Sequence, residues 1–232
     1  MIRNVWIINR DTGANLLNRP FVPSDINNNL FGGLISAIFT FAKEIGADSL
    51  KSLDMGDTEI VYLASEHIIC ALSINKDTPR DFVNEILNGI YDEFTFNFSS
   101  LMKDWDGSLR HFRSFVSVVD RIVTAQLEQN NMKLRKIVTL TKEISKRISS
   151  IESLEEVSNF WAQLNSLKEE SNRISYAAYD LFREENWINE HYIRQYTEAQ
   201  EVRQVAKDVF LATDLKLLMA RRKIQQKQAA SN

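Results

Sequence analysis

The chain has 232 residues, of which 44% are hydrophobic and 25% charged, with a formal net charge of −3. That length holds one large domain or two small ones, and the near-neutral charge gives no support to nucleic-acid binding. The lone cysteine, Cys70, excludes an intrachain disulfide, and no stretch approaches the roughly 18 apolar residues of a membrane span. Cys70 sits in the apolar run Ile68-Ile69-Cys70-Ala71-Leu72, so it reads as a small buried side chain in a reducing compartment. Met1-Ile2-Arg3-Asn4 lacks a signal-peptide apolar run and the glycine of myristoylation, which predicts a cytoplasmic protein that meets membranes only peripherally, through partners.

In chain order, Val5-Trp6-Ile7-Ile8 is a β-branched and aromatic run ended by Asp11-Thr12-Gly13, and Asn15 to Arg19 follows before Pro20. The pair predicts an N-terminal hairpin. Pro23-Ser24-Asp25 offers helix-start chemistry for a run without charge, Leu30 to Ala42, with Gly46 as its C-terminal stop. That helix carries two apolar stripes. One is Leu34, Ile38, Phe41 and Ile45; the other is Phe31, Ile35, Phe39 and Ala42. A helix on a sheet buries only one face, so one stripe needs a second cover. Phe31, Ile35, Phe39 and Ala42 are taken as that stripe, covered either by the C-terminal helices of the same chain or, as a partner-binding stripe, by another protein, with Gly32, Gly33, Ser36 and Ala37 allowing another backbone to approach.

Three strands are expected at 50–55, 59–64 and 67–74, joined by Gly56-Asp57 and Ser65-Glu66 as an antiparallel meander. Pro79, capped by Thr78, opens an amphipathic helix with Phe82, Val83, Ile86, Leu87, Ile90 and Phe94 on one face. From Leu101 on the chain reads as helix almost throughout, with no proline after Pro79 and no glycine after Gly107. Helices are expected at about 108–148, 152–184 and 187–226, restarted by the capping-box patterns Ser149-x-x-Glu152 and Ser153-x-x-Glu156 and by Asn186-Trp187-Ile188. The aromatic residues of this half, among them Phe160, Trp161 and Phe210, favour a packed helical hairpin or bundle over a lone rod.

The resulting order, β-β-α-β-β-β-α-α, opens at the extreme N-terminus with Val5-Trp6-Ile7-Ile8 and places a long apolar helix after the first hairpin. Together with Leu34-Ile35-Ser36-Ala37-Ile38 followed by Met55-Gly56-Asp57, this pattern resembles the longin domain and is similar to longin-type proteins of archaea. The resemblance covers about residues 1–125 and rests on pattern, with no invariant motif. It implies an α+β fold, a five-stranded antiparallel sheet followed by a long helical or coiled-coil region. The domains would be a longin-like unit at 1–125, a helical extension at 126–228 and a frayed tail at 229–232. It also implies a non-catalytic scaffold whose partners are proteins, small GTPases or membrane-traffic machinery, with self-association through the helices as the other protein contact.

Longin domains of the SNARE family precede a coiled coil with an arginine at a central core position. Ile137, Leu140, Ile144, Arg147, Ile151 and Leu154 alternate at spacings of 3 and 4, which puts Arg147 between apolar layers. The register then decays at Ser158 and Asn165, and a competing stripe, Ile144, Ile148, Ile151 and Leu154, leaves Arg147 outside. A SNARE-like fusion protein without its own anchor is therefore the alternative reading, with Ile144, Arg147, Ile151 and Leu154 as its core.

Charge is unevenly spread. Residues 1–125 hold 11 Lys/Arg and 16 Asp/Glu, a balance of −5, and the remaining 17 and 15 leave 126–232 at +2. Arg221, Arg222 and Lys223 are the centre of a basic C-terminal stretch, read either as a dipole-matched helix end or as a contact for an acidic partner or anionic lipid. No glycine-rich phosphate loop occurs, and His67, His111 and His191 are far apart with no second cysteine, so neither a metal nor a cofactor is expected. The acid pairs Asp54/Asp57 and Asp104/Asp106 sit in turns, where aspartate serves backbone hydrogen bonding, and no nucleophile–base pair has supporting context.

Overall fold

The computed structural model describes residues 2–22, 26–44, 52–76, 78–179 and 190–230. They divide into two compact units, the first ending its N-terminal stretch at Leu127 and the second drawing on Glu128–Tyr179 and on residues from Arg194 onward.

The first unit is α+β. Strands β1 (Ile2–Asn9), β2 (Asn15–Pro20), β3 (Ser52–Met55), β4 (Thr58–Ala64) and β5 (Ile68–Asn75) form one antiparallel sheet in the order β2-β1-β5-β4-β3. Helix α1 (Asn28–Glu44) follows the first hairpin, α2 (Arg80–Lys103) follows β5, and a 3-10 turn at Leu109–Phe112 precedes α3 (Phe115–Arg147). The expected single helix from residue 108 is thus interrupted. Gly107 takes a positive φ of 84°, and Asp106 accepts the Ser108 backbone N–H at 2.8 Å, which starts a turn in place of a helix.

The two central strands, β1 and β5, are buried on both faces: Val5, Trp6, Ile7 and Ile8 and also Ile69, Cys70, Ala71 and Leu72 are 0% exposed. Because successive side chains alternate across the pleat, Trp6, Ile8, Ile60, Tyr62, Ile69 and Ala71 share one face, where Phe31 and Ile35 of α1 join them in one apolar cluster. α2 lies against β4 and β5 and buries Phe82, Val83, Ile86, Leu87 and Ile90. Below it Phe94, Phe98, Phe112 and Phe115 form a ring cluster with centroid separations of 4.8–5.8 Å that joins α2, the 3-10 turn and α3. The Arg19 guanidinium grips the Asp120 carboxylate through two nitrogens, at 2.7 and 3.2 Å, and so ties the edge strand β2 to α3.

The first hairpin is organised by Asn9. Its buried Oδ1 accepts the backbone N–H groups of Asp11 and Thr12 at 3.0 and 2.9 Å. Gly13 closes the turn at φ +67°, and its backbone lies directly on α1: a Cβ on Gly32 would collide with the Gly13 carbonyl oxygen, and one on Gly13 would sit 3.0 Å from the Gly33 Cα. Ser36 Oγ donates to the Arg10 carbonyl at 2.6 Å, one turn further along. The close backbone approach expected from Gly32 and Gly33 is therefore made within this unit, by the hairpin.

The helix starts differ from expectation. Pro23-Ser24-Asp25 and Gly46 lie outside the described residues; α1 is capped instead by Asn27, whose Oδ1 accepts the N–H groups of Asn29 and Leu30 at 3.1 and 3.2 Å. Pro79 stands just before α2, and the Thr78 hydroxyl donates back to the Asn75 carbonyl at 2.7 Å in place of capping the helix.

The second unit is helical. α3 contributes its remainder, followed by a 3-10 turn at Ile148–Ser150, then α4 (Leu154–Tyr179) and α5 (Glu190–Ala230). Ile137, Val138, Ile144, Ile148, Leu164, Ala206, Phe210 and Leu217 form its core. The box at Ser153 is made: Glu156 N–H donates to Ser153 Oγ at 3.1 Å, and Glu156 Oε2 accepts from the backbone of Glu152 and Ser153. The one at Ser149 is not, because Ser149 is inside the 3-10 turn and its hydroxyl donates to the Lys146 carbonyl. α5 runs to Ala230, so residues 229 and 230 are helical where a frayed tail was expected; residues 231–232, like Asn186-Trp187-Ile188, lie outside the described residues.

Gly32 and Gly33 predict opposite responses to one methyl group. Gly32→Ala should lower stability by about 1–3 kcal/mol, since the colliding atom is backbone and cannot swing away. Gly33→Ala has open space and should raise it by about 0.5–1 kcal/mol through helix propensity. Urea unfolding of the two variants checks both signs.

Candidate functional site

α1 positions the surface of the first unit that its sequence singles out. From Asn28 to Ala42 the helix carries no charged side chain, so its rotation on the sheet decides which apolar residues meet water. The rotation is set by the Gly13–Gly32 approach, by the Ser36–Arg10 bond, and by Trp6 Nε1, which donates to Asn28 Oδ1 at 2.9 Å while its ring lies 4.1 Å from that of Phe31. These place Phe31, Ile35 and Ala42 in the core and Phe39 against it, edge-on to Tyr62 at 4.7 Å. The partner-binding assignment of Phe31, Ile35, Phe39 and Ala42 is therefore corrected: they are the sheet-facing stripe. The opposite face is the one in solvent, with Leu30 73%, Leu34 50% and Phe41 60% exposed. Gly33 and Ala37 lie between them and are exposed too. Spacing alone could not choose between two apolar stripes; the usable signal was Gly32, whose missing side chain marks the face that meets the hairpin.

The coiled-coil positions are also redistributed. Ile144 is buried and Ile151 and Leu154 are half-buried, but Arg147 is exposed, its guanidinium 5.2 Å from the Phe160 ring centroid. α3 ends at Arg147, and Ile148 takes the buried place one residue later. A heptad register carrying Arg147 as a core layer is thus not what these residues form, because the helix that would continue it stops there. Arg221, Arg222 and Lys223 are all exposed; Arg221 stacks over Trp161 at 5.6 Å, and Lys223 lines a groove described below.

The polar clusters have structural partners. Asp54 pairs with Lys76 at 2.7 Å, and Asp106 faces His111 at 3.5 Å. The Asp106 carboxyl lies below its ordinary range, held there first by the Ser108 backbone N–H and then by His111. Cys70 is fully buried, which pushes its thiol up to about 12, far from a nucleophilic thiolate at neutral pH. Burial also pushes the Tyr62 phenol up to about 12. Among the described residues, no group of three His, Cys, Asp or Glu could hold a metal ion, and no helix is long and apolar enough to cross a membrane.

No protein-family model matches the chain, and comparison with curated proteins gives no match.

Glu59 gives the sheet a pH dependence. It stands opposite Asp54 in the β3–β4 register, a like-charge pairing, and its side chain is 10% exposed beside the Arg80 guanidinium. Burial works against its charge, yet hydrogen bonds from Arg80 and Ser52 hold its carboxyl below the ordinary 4.5. A depressed carboxylate stabilises the fold above its unfolded pKa and loses that contribution as pH falls through the folded one. Wild type should therefore melt above Glu59→Gln at pH 7, and the gap should close as pH falls below about 4; thermal melts of both from pH 7 to pH 3 test it.

Proposed function

We propose that the chain is a non-catalytic scaffold that binds other proteins through the solvent face of α1. The observation that carries this reading is the exposure of Leu30, Leu34 and Phe41 on a helix with no charge between Asn28 and Ala42. Large apolar side chains grouped on one face of a monomer mark interaction sites more often than isolated ones do. Covering these three would contribute on the order of 3 kcal/mol, from about 1.5–3 kcal/mol per fully buried side chain scaled by the exposed fractions. Surface burial of this kind needs no charged group, and none lies between Asn28 and Ala42.

The longin resemblance gives the partner class. A five-stranded antiparallel sheet with one helix after the first hairpin is compatible with it, and on that analogy the partners are small GTPases or membrane-traffic machinery. The SNARE-like alternative draws no support from Arg147, which ends its helix in solvent.

The test is affinity capture by the full chain from native lysate with GDP or a non-hydrolysable GTP analogue, wild type against Leu34→Glu and Phe41→Glu. Nucleotide-dependent recovery of a small GTPase, reduced at least tenfold by either substitution, is the expected result. Both side chains are exposed, so melting temperatures should stay within a few degrees of wild type. Equal recovery by wild type and variants would refute the α1 face as the binding surface.

A further inference from the structure

The second unit contains a groove of about 990 Å³ between the turn that follows α3 and the C-terminal half of α5. Its apolar lining includes Ile148, Ile151, Met219 and Ile224, and its polar rim includes Lys146, Lys216, Lys223 and Lys227 against one acid, Glu152. Ile148 and Ile224 are buried, while Met219 is 71% exposed, so the floor is partly core and partly open.

The cations need an explanation that helix dipoles supply only in part. Lys146 and Lys227 lie in the last turns of α3 and α5, where positive charge is favoured. Lys216 and Lys223 do not, and the dipole effect fades within a turn. Among the described residues no carboxylate pairs with Lys146, Lys216 or Lys223, and the Lys216 ammonium instead donates to Ser145 Oγ at 2.9 Å. Two other cations of this unit, Arg135 and Lys168, pair with Glu198 and Asp214. The groove therefore brings an apolar floor together with three lysines, Lys146, Lys216 and Lys223, that no carboxylate among the described residues answers.

We infer that this groove receives an acidic amphipathic helix of a partner protein. From Lys216 to Gln228 the wall is about 18 Å long at about 1.5 Å per residue, three turns of helix. An occupant of that length can place apolar side chains at i, i+3 or i+4, and i+7 on Ile151 and Met219, with flanking carboxylates near Lys216 and Lys223. A concave wall suits a rod-shaped occupant better than a planar lipid surface. The site lies on different residues from the α1 face, so it stands or falls independently of that reading.

The test is selection of displayed 16-residue peptides against the full chain. One library carries randomised apolar positions at helical spacing flanked by Glu, and its counterpart carries Lys at the flanking positions. Enrichment from the Glu library alone is expected, with affinity falling at least tenfold between 50 and 500 mM NaCl and in Lys216→Glu/Lys223→Glu, on the order expected for screened exposed charges. Met219→Glu, at an exposed position that should leave folding intact, should weaken binding similarly. Failure of the Glu library to enrich, or enriched peptides that bind the variants as well as wild type, would overturn the assignment. So would binding to phosphatidylserine vesicles that the lysine substitutions abolish while no peptide enriches, which would make the surface a membrane contact.

Discussion

The first unit turns on the contact between two backbones, that of Gly13 in the hairpin and that of Gly32 in α1. A helix laid on a sheet can rotate about its own axis, and an ordinary amphipathic helix is fixed in rotation by having one apolar face. α1 lacks that constraint because it has two. The hairpin turn supplies it sterically, since only a residue without Cβ fits under the Gly13 carbonyl. Trp6 and Ser36 then add hydrogen bonds that agree with the same rotation. Everything said of the exposed face follows from this: once Phe31 and Ile35 are turned toward Trp6 and Tyr62, Leu30, Leu34 and Phe41 have nowhere to go but outward.

This also accounts for what could be read from the residues and what could not. The five strands and their antiparallel pairing were legible, because β-branched runs bounded by Asp-x-Gly and Gly-Asp carry their own register information. So was the restart at Ser153, whose reciprocal bonds with Glu156 need only residues close in sequence. The rotation of α1 could not be read from stripe spacing, because it depends on a contact across about twenty residues whose one mark in the sequence is Gly32. The end of α3 was legible to within a residue, expected at about 148 and found at Arg147, but the form the chain takes there was not. Arg147-Ile148-Ser149-Ser150 contains neither glycine nor proline, yet the backbone tightens into a 3-10 turn there, and Ser149 and Ser150 hydroxyls bind the Lys146 and Arg147 carbonyls that the helix leaves open. A heptad count passes through this point without a mark, which is why Arg147 counted as a core layer while Ile148 in fact fills that place.

Two ion pairs show how the sheet tolerates charge at its edge. Asp54 and Glu59 face one another across β3 and β4, where repulsion would loosen the short edge strand. Lys76 at the end of β5 and Arg80 at the start of α2 answer one acid each. Charge on an edge strand also discourages pairing with another chain, so the same residues that strain the register keep β3 from acting as an open template.

The α1 face and the α5 groove differ in the physics by which they could hold a partner, and that difference bears on their use. Association driven by an uncharged apolar face responds little to salt and gains from burial area, so its selectivity has to come from shape. A lysine-rimmed groove attracts its partner over a Debye length and tells acidic from basic helices before contact, at the expense of sensitivity to ionic strength. A scaffold that must join two different proteins without confusing them is served by surfaces of unlike chemistry, because a ligand suited to one is a poor ligand for the other. The carboxylates of an acidic helix gain nothing from Leu30, Leu34 and Phe41, and a neutral apolar surface leaves Lys216 and Lys223 unanswered. The two proposed surfaces are therefore chemically orthogonal, which is the property that lets one chain bring together two partners that do not compete.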